Sequence, residues 1–138
     1  MMKIITHILI VTLFFVAKVV SAQEYNITAT VVNVTSDQGK VSYALYDKEN
    51  YMKQPIQAKK ATIENGKSTV VFENVPLGEY AVICFHDKNE NNKMDFEPSG
   101  MPMEDYGASN NVMRMGPPMY HDSKFLLTDK DVSLEIKF

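Results

Sequence analysis

Asp87, Asn89, Asn91 and Asp95 recur at close, regular intervals in His86-Asp87-Lys88-Asn89-Glu90-Asn91-Asn92-Lys93-Met94-Asp95. They fall at positions 1, 3, 5 and 9 of a Ca²⁺-type loop, in which a short chain wraps one hard cation and presents oxygens to it. Position 7 of such a loop serves through its backbone carbonyl, so Lys93 is compatible with its charge directed outward. Position 6 prefers Gly; Asn92 stands there, and Asn tolerates a left-handed backbone better than other side chains. Position 12 calls for a bidentate Glu but is Pro98. Of the nearby acids Glu97, Glu104 and Asp105, Glu104 is the expected replacement, delivered by a chain folding back over the ion. The candidate metal set is therefore Asp87, Asn89, Asn91, Lys93, Asp95 and Glu104. Hard oxygens favour Ca²⁺ over zinc or copper. The competing reading is a polar turn in which Asp and Asn side chains satisfy the local backbone unaided. With no paired second loop and no flanking helices, the ion is expected to be structural, bound at about 10⁻⁴–10⁻³ M as in extracellular modules.

Two other chemistries compete with this one. Met101-Pro102-Met103, Met113-Arg114-Met115, Met119 and His121 offer paired thioethers of the kind that suit Cu(I), so a periplasmic copper-binding protein is the alternative function. The same methionines serve equally well as fillers of irregular packing. His86 with Asp87, His121 with Asp122, and Ser109 supply the residue types of a hydrolytic site, yet no nucleophile elbow accompanies them. The expectation is that the protein is not an enzyme. Cys84, the only cysteine, lies in the apolar run Tyr80–Phe85 and is expected to be a small buried hydrophobe.

The chain opens with a basic Met1–Lys3, an apolar Ile4–Ala17 and the small-residue pattern Val20-Ser21-Ala22, which together read as a signal peptide over residues 1–22. The apolar run is shorter than the roughly 20 residues a bilayer demands, so no transmembrane segment is expected after cleavage. Cleavage removes Lys3 and Lys18, leaving 12 basic residues against 17 acidic ones and a net charge of −5. With Arg114 its one arginine, such a chain has no electrostatic footprint for nucleic acid. Residues 23–138 suffice for one domain with a core of its own.

These residues must be positioned by strands. Tyr25–Val31 alternates apolar and polar side chains, as do Gly39–Asp47 and Val132–Phe138. The first two are expected to pair as an antiparallel hairpin across Asp37-Gln38-Gly39. Lys60–Ile63 and Ser68–Phe72 flank Asn65-Gly66, a strong hairpin signal. Asn50–Ala58 is expected as loop. Glu79–His86 is apolar on both faces and reads as a central strand. Phe96–Tyr120, with its Gly, Pro and five methionines, shows no alternation; a loop of that length is either functional or disordered, and its apolar content argues for the former. Six or seven short strands joined by turns point to an all-β, antiparallel immunoglobulin-like or transthyretin-like sandwich, with a small barrel as alternative.

Asn74-Val75-Pro76-Leu77-Gly78-Glu79-Tyr80-Ala81-Val82, His86-Asp87-x-Asn89-x-Asn91, Gly100-x-Pro102-x-Glu104-x-Tyr106-Gly107-x-Ser109-Asn110-Asn111 and Gly116-Pro117-Pro118 together resemble a bacterial family of exported domains of unknown function. The likeness runs through most of residues 23–138 and is densest over residues 74–126. It departs at Asn92 and Asp105, where the family usually carries Gly. The resemblance implies a small β-sandwich in the cell envelope of Gram-negative bacteria, in the periplasm or at the cell surface, and implies no activity. It groups Glu104, Tyr106, Ser109 and Asn110 with the cation loop. The function expected is an exported binding or scaffolding module for an envelope or extracellular ligand.

Overall fold

The structure, a computed structural model, describes residues 21–138; the signal peptide read over residues 1–22 lies almost wholly outside them. Eight strands follow one another: β1 (Glu24–Val31), β2 (Lys40–Tyr46), β3 (Gln57–Ala61), β4 (Ser68–Pro76), β5 (Gly78–Asp87), β6 (Tyr106–Ala108), β7 (Phe125–Leu127) and β8 (Val132–Ile136). A 3₁₀ turn at Ser109–Asn111 and one helical turn, α1 (Tyr120–Ser123), interrupt them. They form two sheets, one in the order β4-β1-β8 and one in the order β3-β2-β5-β6, with β7 pairing the first residues of β5. The fold is the expected sandwich.

Alternation explains the core. Ile27, Ala29 and Val31 of β1, with Phe72 of β4 and Ile136 of β8, face Val41, Tyr43 and Leu45 of β2 and Val82 and Cys84 of β5; all are buried. Removing such side chains from water is the main stabilising term, about 1.5–3 kcal/mol for each large aliphatic or aromatic group. Tyr43 also ties the sheets together, its hydroxyl donating to the Ser68 carbonyl at 2.9 Å. Burial pushes its pKa up to about 12. Burial likewise raises the Cys84 thiol far above its ordinary value, as suits a packing residue.

The partners of several strands differ from expectation. β1 and β2 do not form a hairpin: β1 pairs antiparallel with β4 and parallel with β8, while β2 pairs with β3 and β5 in the other sheet. Alternation fixes which face a strand buries but not which strand lies beside it. The chain between them crosses the sandwich, with Val34 buried and its N–H bonded to the Gly66 carbonyl at 2.9 Å. Asn65-Gly66 does make the tight turn, with φ of 52° and 75° and reciprocal bonds between Glu64 and Lys67. It joins β3 of one sheet to β4 of the other, so the hairpin ends after a single bridge. The expected loop over Asn50–Ala58 gives way to β3 at Gln57. Likewise the 96–120 segment contains β6 and the 3₁₀ turn, and His121 sits on α1.

Candidate functional site

The last residues of β5 are pinned on both sides before the chain leaves the sheet. His86 is fully buried; its Nε2 contacts the Gln38 carbonyl at 2.6 Å and its backbone N–H donates to the Asp105 carbonyl at 2.8 Å. Lys40 of β2 is paired with Asp87, and the preceding Gly39 has φ of 74°. A Cβ on Gly39 would lie 2.3 Å from the Asp87 carbonyl oxygen, so only glycine fits against the root of the loop.

Asp87 is 1% exposed and organises the loop over residues 88–95. Its Oδ1 accepts the Asn91 N–H at 3.2 Å and its Oδ2 the Asn92 N–H at 2.9 Å. Asn89 Oδ1 accepts the same Asn91 N–H at 3.3 Å, and Asn91 Oδ1 accepts the Lys93 N–H at 3.1 Å. Glu90 and Asn92 adopt left-handed φ of 53° and 66°, which curls the chain back on itself. Asn89 Nδ2 then donates to Asp95 Oδ2 at 2.7 Å, and Asn91 Nδ2 to both Asp95 oxygens at 2.8 and 2.9 Å. Glu104, 7% exposed, returns from the long loop and its Oε2 accepts the Asp95 N–H at 3.4 Å. Five of the six expected residues thus meet through their side chains. Lys93 joins through its N–H, with its side chain outside.

The electrostatics of the cluster are uneven. The Asn89 and Asn91 amides hold the Asp95 carboxyl below its ordinary value. Desolvation raises Glu104, and the charges of Asp95 and Asp87 push it the same way. Three carboxylates therefore share one neighbourhood, with no cationic side chain of the described residues bonded among them. Counting only His, Cys, Asp and Glu, no group of three among the described residues is arranged to hold a metal ion. Here the remaining oxygens belong to amides, and those amides turn their nitrogens toward Asp95.

The loop leads into one wall of a groove of about 960 Å³ over the outer face of the five-stranded sheet. Ala44, Tyr46, Ile83 and Phe85 form part of its floor, while residues 94–102 and 116–118 rise along it. The near arm is stitched to the Asp87 loop by Met103 N–H, which donates to the Asp95 carbonyl at 2.8 Å, and is folded on itself by Glu97 N–H donating to the Met101 carbonyl at 2.8 Å. The far arm hangs on tyrosines. Tyr51 hydroxyl donates to the Pro118 carbonyl at 2.8 Å, and its ring stacks edge-on against Tyr46 and Tyr120 at 5.7 and 5.4 Å. Tyr120 hydroxyl bonds Glu79 at 2.9 Å, and desolvation together with that carboxylate pushes its pKa up to about 12. Lys60 Nζ bonds Asn92 Oδ1, and Asn92 belongs both to the groove and to the Asp87 loop.

The groups of the other two chemistries are placed differently. Met101, Met103, Met113, Met115 and Met119 are all exposed, Met115 completely. Ser109 is buried, its hydroxyl bonded to the Val82 N–H at 3.1 Å and to the Ser123 carbonyl. Asp122 pairs with Arg114. The hydrogen bonds of Ser109, His86 and Asp122 run to backbone groups and Arg114, not to one another. Asn110 and Asn111 clasp α1 and β8 through backbone carbonyls at 2.8–3.0 Å, a structural role.

Sequence reasoning passed over the groove and its tyrosine anchors. The signal was present in β5, whose second apolar face needed a cover that no other sheet supplies. Neither curated proteins nor solved structures give a match to this chain. A family model described as an uncharacterized protein conserved in bacteria (DUF2141) matches residues 29–135, and the chain belongs to that family.

Proposed function

We propose that the protein is an exported cell-envelope binding module in which the Asp87–Asp95 loop, closed by Glu104, holds a structural Ca²⁺ that braces the near wall of the groove. The reading rests above all on the return of Glu104, a buried carboxylate of raised pKa, to a loop that already gathers Asp87, Asp95, Asn89 and Asn91. With the amide oxygens turned inward, these three carboxylates and two amides would make a hard-oxygen donor set of the kind Ca²⁺ takes. The two Asn side chains neutralise Asp95 with their N–H groups; to serve a cation they turn their oxygens inward instead. A bound divalent ion would supply the positive charge that Glu104 lacks. Asp87 keeps its second role throughout, accepting the backbone N–H groups that hold the curl.

The groove is the binding surface and the loop its brace. Calorimetry on the exported chain should detect Ca²⁺ at about 10⁻⁴–10⁻³ M, with a higher melting temperature in Ca²⁺ than in chelator. Absence of both would reject the cation site.

A further inference from the structure

We propose that the groove accepts a single-chain anionic amphiphile, a long-chain carboxylate, an inference that rests on the reading of the groove as the binding surface. Its floor is built from cross-strand rows on the outer face of the sheet. Lys60, Ser42, Phe85 and Tyr106 are neighbours in one row; Ala58, Ala44, Ile83 and Ala108 are neighbours in the next. Of the three residues in the second row that line the groove, Ala44 and Ala58 are alanines, and Tyr46 stands beyond them. These small side chains, between Lys60, Phe85 and Tyr106 on one side and Tyr46 on the other, leave a trough across the strands. An outward sheet face is ordinarily polar; this one is apolar and only half covered.

The volume, about 960 Å³, lies in the range of small-molecule sites, which are mostly apolar with a few placed polar groups. The body of the occupant is hydrocarbon because the lining offers little to satisfy polar groups. A peptide would bring backbone N–H and C=O groups that need partners. Most of the floor lies over β2 and β5, whose ladder bonds are already made to strands on both sides and are closed to strand addition.

The head is anionic because Lys59 and Lys60 are the only charged residues of the lining, in a chain of net charge −3. Lys60 Nζ spends one donor on Asn92 and has two others. Beside it, Ser42 Oγ is buried and lacks a hydrogen-bond partner among the described residues. One ammonium at the rim, with the Ser42 hydroxyl in the floor beside it, suits a singly charged carboxylate; a doubly charged phosphate is more often met by an arginine fork.

The test is displacement of a fluorescent polyene fatty acid from the exported chain by dodecanoate, tetradecanoate and hexadecanoate below their micelle concentrations. Hexadecanol and hexadecyltrimethylammonium serve as head-group controls. Affinity should rise about two- to fourfold per methylene, and hexadecanoate should exceed hexadecanol by about two- to fivefold. Lys60→Glu should erase that preference without weakening hexadecanol. Ala44→Phe and, on the edge strand, Ala58→Phe should each weaken hexadecanoate by about tenfold or more by filling the trough. If Ala44→Phe does not fold, Ala58→Phe decides alone. Non-saturable displacement, unchanged binding in a folded trough-filling variant, or equal affinity for the cationic amphiphile would overturn the proposal. A Ca²⁺ response without saturable hexadecanoate binding sinks this inference and leaves the cation loop standing; the reverse pattern does the opposite.

Discussion

Residues 94–104 and residues 116–120 belong to one long loop and line one groove, yet they are fastened to the sandwich by opposite chemistries. The near arm is held by carboxylates, amides and backbone groups around Asp87, in a cluster with more negative charge than it neutralises. The far arm is held by aromatic packing and three tyrosine hydroxyls, those of Tyr51, Tyr106 and Tyr120, with no net charge at stake beyond Glu79. Apolar packing is complete once made, whereas crowded carboxylates invite a cation. One wall of the groove can therefore respond to its ionic surroundings while the other stays fixed.

The largest separation of the two arms is expected from Asp87→Ala. It strips the acceptor from two backbone N–H groups and should cost about 2 kcal/mol within residues 88–104. Limited proteolysis should open that segment, with the sandwich still folded and the far arm still protected; unchanged cleavage would contradict the brace. Tyr51→Phe is the mirror experiment. Loss of its bond to the Pro118 carbonyl should cost about 1 kcal/mol, read as faster amide exchange at Gly116, Met119 and Tyr120 with the near arm unaffected.

Titration should divide the arms by direction. Tyr120 has its pKa raised to about 12 in the folded chain against an ordinary 10.0, so the native state holds its proton longer. Its contribution is present below pH 10 and is lost as pH climbs toward 12. Asp95 has its pKa lowered by the amides, so its contribution is present above the ordinary 3.8 and is lost as pH falls through the depressed value. Alkali should therefore free the far arm first and acid the near arm, as followed by the amide signals of each. Both arms loosening together at either extreme would erase the distinction. The smallest effect is expected from Lys40→Ala, which removes an exposed pair with Glu90 at 3.7 Å and should change stability by less than about 0.5 kcal/mol in a melting experiment.

Local pattern carried much of this molecule. The inner faces of β1, β2 and β5 were legible from alternation, and the clustering of Asp87, Asn89, Asn91 and Asp95 from spacing, whereas Glu104 was picked from among the nearby acids and its approach to Asp95 is visible only in the fold. Pairing was not legible, because β1 finds β4 and β8 across long stretches of chain and no local rule records that choice. Nor were β6 and β7, three residues each, which exist only because β5 offers unpaired backbone to them. The groove escaped for a related reason: Ala44, Ala58 and Ile83 are unremarkable until the register places them side by side. Tyr51 and Tyr120 likewise meet only in three dimensions.

The measurement closest to the central claim is amide hydrogen exchange of residues 23–138 along a Ca²⁺ titration, comparing the amides of residues 94–104 with those of Gly116, Met119 and Tyr120. Protection that rises with Ca²⁺ in the near arm, saturates, and is absent from the far arm is the predicted result. Exchange that ignores Ca²⁺ in the near arm, or slows equally in both, would contradict it.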